Sequence, residues 1–496
     1  MNSHRQILKS SAIIGGSTVI AIAIGILKVK FLAILLGAAG VGLMGVFQNI
    51  MGVAATAASC GLNTSGVRQL AASHGERSTL DAVRHALLRG NFVLGLVGGI
   101  LLWLGRGPIS QMVFKDSAHA TELGILGIGV FFTLIAASQA ALLQGMRKIA
   151  HFARVNIFGA IFGALFGIGF AWWLGSDGIV WFVIAAPLTG VIAGTWYASR
   201  LPRPVAHPNW PETRTQLSAM LRLGIPFMIS MLLTLATQLL ARTMIIHNNG
   251  INAAGHFQAS WFISINYIGI VLGAISTDYY PRLSAVISEP DKARTLVAEQ
   301  SEMALLLSVP ALIALITVAP WVIYLFYAPD FNPAVELLRW QSLGNFFKVA
   351  SLPMSFILVA HAKGGWFMFT EAVWNLSYLA ILFFGLPIWG LDAAGYGFVL
   401  SYLIYFILLI AISFRLICYR VRFYVWISLI AIIICGFLLI LLSHHSQMAS
   451  LGVGTILTIF IGLYCLHRID SHVDLRGWLR HRRHRKPTEP PASTLP

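Results

Sequence analysis

Apolar residues run along this chain in blocks of about 20, separated by short polar stretches, from residue 11 to residue 467. Each block has the length an α-helix needs to cross the hydrocarbon core of a bilayer. The pattern predicts fourteen spans, near 11–36, 41–61, 86–104, 122–143, 153–174, 178–197, 221–246, 255–277, 303–327, 335–360, 365–386, 393–414, 423–443 and 449–467. Ten-residue segments of alternating hydrophobicity, the mark of a transmembrane barrel, are not the pattern here. The expected class is an all-α polytopic membrane protein of about 14 transmembrane helices. The first block is too long and too poorly flanked for a cleaved signal peptide, so it is expected to stay.

Two halves of six spans resemble each other at an offset near 215. Ala38-Ala39-Gly40 matches Ala253-Ala254-Gly255, Phe131-Phe132 matches Phe346-Phe347, Lys148 falls on Lys363 and Asp177 on Asp392. The organisation this predicts is an N-lobe over 1–199 and a cytoplasmic linker over 200–220, opening with RLPRPVAHPNWPETR. A C-lobe over 221–416 follows, then two additional spans over 417–467 and a basic tail over 468–496. Parallel repeats of this kind place a substrate between the halves near the bilayer midplane. The tail, with HRRHRK at 481–486, reads as a topogenic segment that faces anionic lipid.

Composition supports the span pattern: 57 % of residues are hydrophobic and 10 % charged, against about 25 % charged in soluble proteins. A formal net charge of +16 would ordinarily raise the question of nucleic acid. Sorting the 34 Lys and Arg by predicted loop answers it. Most fall in the loops on the side of the N-terminus, and Arg106 and Lys115 alone stand clearly on the other. That is the positive-inside pattern with both termini cytoplasmic, and no nucleic-acid partner is expected. Cys60, Cys418, Cys435 and Cys465 show no metal-ligand spacing.

Polar groups inside spans are the candidate chemistry, because intramembrane charge is costly. In span 10, Gln341, Asn345, Lys348 and Ser355 fall within about 80° of one another at 100° per residue, a polar stripe around a cation near mid-span. In span 11, Glu371, Asn375 and Tyr378 share a face. Glu371 could pair with Lys348 or act as a protonatable coupling group, since burial raises a carboxyl pKa. Span 7 carries Ser230, Thr234, Gln238 and Arg242, the last near enough to a span end to snorkel. Span 2 carries Gln48, Gly52, Ala55, Ser59 and Asn63. In span 1, Lys28 shares a face with Ser10, Ser17, Ala21 and Gly25, whereas Lys30 shares one with Ala12, Val19, Ala23 and Ile26. Amphipathicity therefore points Lys28 toward a polar interior and lets Lys30 snorkel.

The stretches KFLAILLGAAGVGLMGVFQNI (30–50), CGLNTSGVRQLA (60–71), YYPRLS (279–284) and LLRWQSLGNFFKV (337–349), followed by Glu371, resemble the Wzx lipid-linked oligosaccharide flippases. O-antigen translocases and lipid III flippases are the nearest types. They belong to the MOP superfamily, which also holds the MATE exporters and the lipid II flippases. The resemblance covers roughly residues 10–415, and the two extra C-terminal spans depart from it. It implies a flippase of the bacterial inner membrane that moves an undecaprenyl-pyrophosphate-linked oligosaccharide, as in lipopolysaccharide biosynthesis, to the periplasmic leaflet by alternating access. It also implies a cationic central cavity, for which the polar seams offer Lys28 or Lys30, Arg242 and Lys348 as cations and Gln48, Gln238, Gln341, Asn345, Asn375 and Tyr378 as lining. In the residue match Lys30, not Lys28, falls on the family's span-1 lysine, against the helical-face argument. No cofactor is expected; H+, Na+ or the membrane potential would couple transport, with Glu371 the candidate. Expected partners are the lipid-linked glycan, membrane lipids and other polysaccharide-assembly proteins.

A MATE-like exporter of cationic drugs would need a cavity carboxylate, yet the interior of spans 1–6 carries none. A membrane enzyme such as a polymerase would need a large outer loop, and the longest, about 105–121, is short. GxxxxGK[ST] does not occur, so direct ATP use is not expected.

Overall fold

The computed structural model describes residues 3–73, 77–202 and 209–473. Residues 74–76, residues 203–208 of the linker and the tail from residue 474, with HRRHRK, lie outside the described residues. The helices are α1 (Ser3–Ser59), α2 (Leu62–Ala72), α3 (Arg77–Leu104), α4 (Arg106–Phe114), α5 (Ala120–Gly145), α6 (Ile149–Leu174) and α7 (Ile179–Ala198). They continue as α8 (Trp210–Val286), α9 (Pro290–Phe326), α10 (Pro333–Ala360), α11 (Gly364–Trp389), α12 (Ala393–Ile417), α13 (Phe423–His445) and α14 (Gln447–Val473). No strand occurs among the described residues.

Among the described residues, ten helical runs are long and apolar enough to cross a membrane, and four of them, of 45, 50, 60 and 54 residues, are about twice the length one crossing needs. Each of the four turns at a glycine in the left-handed region: Gly37 (φ 61°) in α1, Gly175 (61°) between α6 and α7, Gly250 (84°) in α8 and Gly390 (57°) between α11 and α12. A residue with a Cβ pays about 1–2 kcal/mol in this region, and glycine pays nothing. Folded at these points, the ten runs give fourteen crossing segments, the number the hydrophobic pattern predicts.

The turns also repeat. Gly175 and Gly390 are 215 positions apart, as are Arg147 and Ala362, both at φ 55°. Gly37 and Gly250 are 213 apart. At this elbow the backbone register is two residues shorter than the match of Ala38-Ala39-Gly40 with Ala253-Ala254-Gly255. Three small residues recur often enough in this chain that their identities alone leave the register open.

By internal contact the chain divides into two units. Unit 1 holds the chain up to Asn266 with Pro320–Leu338 and Glu371–Ser401; unit 2 holds Tyr267–Ala319, Arg339–Thr370 and the chain from Tyr402 on. Exposed tryptophans stand near the ends of crossing segments: Trp103, Trp172 and Trp173 at the ends of α3 and α6, Trp196 at the end of α7, Trp366 and Trp389 at either end of α11. That is where amphipathic rings settle at a membrane surface.

Candidate anion-binding site

Gly250 folds α8 back on itself, so positions equally distant from it face each other. Arg242 and Gln258 lie eight residues to either side, about 12 Å from the bend at 1.5 Å per residue. One terminal nitrogen of Arg242 donates to Gln258 Oε1 at 2.6 Å, and the other to the Gln238 carbonyl at 3.1 Å. The Phe257 ring lies 5.6 Å from the guanidinium carbon, and Tyr378 is within electrostatic reach. Arg242 is only 4 % exposed, so it does not snorkel. Its Nε has no hydrogen-bond partner among the described residues. A charged donor left unsatisfied in this way is costly unless something fills the place.

The α1 elbow supplies the opposite wall. A Cβ on Gly45 would stand 2.8 Å from Gln258 Oε1, so only a glycine lets the glutamine reach Arg242 undisturbed. Gly45 and Gln258 are themselves 213 positions apart. Equivalent places in the two halves thus hold a hydrogen in one and an amide in the other.

The two lysines of span 1 part company. Lys28 Nζ donates to the Phe182 carbonyl at 2.9 Å, sits 4.0 Å from the Phe182 ring centroid and packs against Gly167. It is enclosed by α6 and α7, not set facing an open cavity as its helical face suggested. Lys30 Nζ donates to the exposed Leu325 carbonyl at 2.6 Å, in the last turn of α9. Unpaired carbonyls at a helix C-terminus attract cations.

Among the described residues, Lys28, Lys30 and Arg242 are all held by neutral oxygens, and none is in ion-pair contact with a carboxylate. Glu371 is half-buried in unit 1, and its own carbonyl accepts from Asn375 Nδ2 at 2.7 Å. Asn375 and Tyr378 are wholly buried; Tyr378 stacks on Trp374 with centroids 5.7 Å apart, and its hydroxyl lies 3.5 Å from the Ala394 carbonyl. Gln48 is exposed and Gln238 half-buried.

In unit 2, Lys348 is half-buried with Nζ 5.5 Å from the Tyr402 ring centroid. Gln341 and Asn345, expected to line a wet cavity, are 0 % exposed. A helical wheel separates a polar stripe from an apolar one, but both a cavity wall and a packed polar seam produce that stripe.

Sequence reasoning missed Gln258 and Gly45 opposite it. The signal was available for Gln258, since a hairpin centred on Gly250 sets it against Arg242. No cluster of three His, Cys, Asp or Glu side chains fit for a metal occurs among the described residues.

Residues 31–336 match the model of the family described as polysaccharide biosynthesis protein. The lipid III flippase of Escherichia coli (strain K12) is 22 % identical over 417 residues, covering 81 % of this chain and 96 % of that protein; that of Shigella flexneri gives the same figures. Among solved structures, the lipid II flippase MurJ in its inward closed conformation superposes with a TM-score of 0.71 at 13 % identity, over 92 % of this chain and 98 % of that one. An inward-facing multidrug resistance MATE family transporter of the MOP superfamily gives 0.65 at 17 % identity, over 84 % and 95 %. The helical architecture is thus that of MOP-superfamily transporters, and the chain belongs to the polysaccharide biosynthesis protein family.

Proposed function

We propose that the protein is a flippase that carries an undecaprenyl-pyrophosphate-linked oligosaccharide from the cytoplasmic to the periplasmic leaflet by alternating access. The observation that carries this reading is that the cations Lys28, Lys30 and Arg242 are all held by neutral oxygens with no carboxylate partner. An interior whose positive charge is not neutralised attracts a pyrophosphate, and a planar guanidinium with a free donor suits its oxygens. Amides such as Gln48 and Gln238 suit a glycan. The same field repels cationic drugs, which sets aside the multidrug-exporter reading. Likeness to lipid III flippases over most of both chains supports the substrate class.

The excess of basic residues in the loops on the side of the N-terminus supports a topology with both termini in the cytoplasm of a bacterial inner membrane. With the cytoplasm negative, outward movement of an anion is favoured by about 2.3 kcal/mol per charge per 100 mV. Glu371 is the coupling group for H+ or Na+ in this scheme. The test is reconstitution into vesicles with a labelled polyprenyl-pyrophosphate glycan: protein-dependent leaflet transfer supports the reading, and none overturns it.

A further inference from the structure

On the flank of unit 1, a groove of about 880 Å3 runs between α6 and α7. One wall is a ladder of Phe158, Phe162 and Phe166, whose rings stack with centroids 6.2 and 6.5 Å apart. The ladder rises about 12 Å over its eight residues. The facing wall includes Ile192 and Trp196, 63 % and 61 % exposed.

One end of this apolar groove is strongly basic. The Arg200 guanidinium lies 4.8 Å over the Trp196 ring and 5.5 Å from that of Tyr197. Tyr197 in turn lies against Phe158 and His151, 6.5 and 5.2 Å between centroids. Lys148, Arg154 and Arg200 are all within electrostatic reach of His151, whose Nδ1 has no hydrogen-bond partner among the described residues. No carboxylate pairs with these cations among the described residues. Between residues 139 and 200 the sequence has one acid, Asp177, and it stands beyond the far end of α6. Gly167, which packs on Lys28, is sixteen residues or about 24 Å farther along α6 than His151, so this cluster is separate from the cations of the transport site.

An apolar channel with an acid-free cationic mouth has the proportions of an anionic amphiphile. We propose that it is a binding site for one anionic glycerophospholipid of the surrounding bilayer, its phosphate on Lys148, Arg154 and Arg200 and an acyl chain along the phenylalanine ladder. Basic pockets between membrane helices take anionic headgroups by this charge complementarity. Phosphodiester lipids are the abundant anions at the membrane surface where such a mouth opens.

The test places photoreactive p-benzoylphenylalanine at Phe162, or as a control at the lipid-facing Phe383, 63 % exposed on α11. The full chain is reconstituted in vesicles of phosphatidylethanolamine with labelled phosphatidylglycerol. The expected result is labelling at Phe162 on the order of ten-fold above the mole fraction of phosphatidylglycerol, with none of that excess at Phe383. Combined Lys148→Gln, Arg154→Gln and Arg200→Gln substitution abolishes the excess, and Arg200→Lys alone keeps it. Unchanged labelling at Phe383 reports that each variant is folded. Labelling at mole fraction in the intact chain, or an excess that survives the triple variant, overturns the site. Displacement of phosphatidylglycerol by an equal amount of polyprenyl diphosphate overturns the assignment to a glycerophospholipid.

Discussion

Gly42 and Gly255 occupy equivalent positions on the two elbows, and each faces the backbone of the other's elbow. A Cβ on Gly42 would meet the Ile251 carbonyl, and one on Gly255 the Ala38 carbonyl. Gly42 and Gly255 are 213 positions apart, and so are Ala38 and Ile251, so the contact is reciprocal about a local pseudo-two-fold axis. Backbone meets backbone here with no room for a methyl group. Overpacking such a contact costs about 1–3 kcal/mol. Gly255→Val is expected to lower the thermal unfolding midpoint in detergent clearly, whereas Gly107→Ala, with nothing within 4 Å of its added carbon, leaves it unchanged. Equal midpoints for the two variants would show that the elbow contact is not a tight one.

Arg242 separates stability from transport. Its burial without a carboxylate is a cost to the fold, so replacing it with an apolar chain of similar length is neutral or stabilising. Arg242→Met is expected to hold or raise the unfolding midpoint while transport of the labelled glycan falls at least about ten-fold. Arg242→Lys retains the charge but cannot reach both Gln258 and the Gln238 carbonyl with one planar fork, and is expected to recover only part of the rate. Both losing stability together with transport would make Arg242 a structural residue.

The opposite split is expected for the span-1 lysines. Lys28 packs against α6 and α7, so Lys28→Ala removes packing and a part-buried hydrogen bond, at a cost of about 1–3 kcal/mol. Lys30 lies on an exposed helix end, where losing the cation costs about 0.3–1 kcal/mol. Lys30→Ala is therefore expected to spare folding and reduce transport, and Lys28→Ala to reduce folded yield first. Urea unfolding beside leaflet transfer checks both at once.

Glu371→Gln tests coupling. The amide keeps the shape and cannot exchange a proton or bind Na+ as a carboxylate does. Transfer by the variant is expected to lose its response to an imposed ion gradient; a response equal to the wild type would remove Glu371 from the coupling role.

The crossing segments were legible in the sequence because lipid demands runs of about 20 apolar residues, and fold-back needs glycine where φ turns positive. What each polar side chain faces was less so. Lys28 and the Gln341–Asn345 stripe lie on polar helical faces, yet Lys28 is half-buried against α6 and α7 and Gln341 and Asn345 are wholly buried, since amphipathicity reports polarity and not the neighbouring helix. Depth counted from a span end leaves Arg242 near enough to the surface to snorkel. Counted from the bend at Gly250, it lies about 12 Å deep, opposite Gln258. The nine-residue α4 was also missed: it lies within a segment read as loop, too short for its pattern to stand out.

The central claim is that intramembrane cations, Arg242 and Lys348 among them, move a pyrophosphate-linked glycan between leaflets. Vesicles reconstituted with the wild-type chain, Arg242→Met or Lys348→Ala, each loaded with fluorescent polyprenyl-pyrophosphate oligosaccharide and probed by a membrane-impermeant quencher, test it most directly. The account predicts rapid transfer by the wild type and near-background transfer by both variants at equal insertion. Wild-type transfer no faster than in protein-free vesicles, or undiminished transfer by the variants, would contradict it.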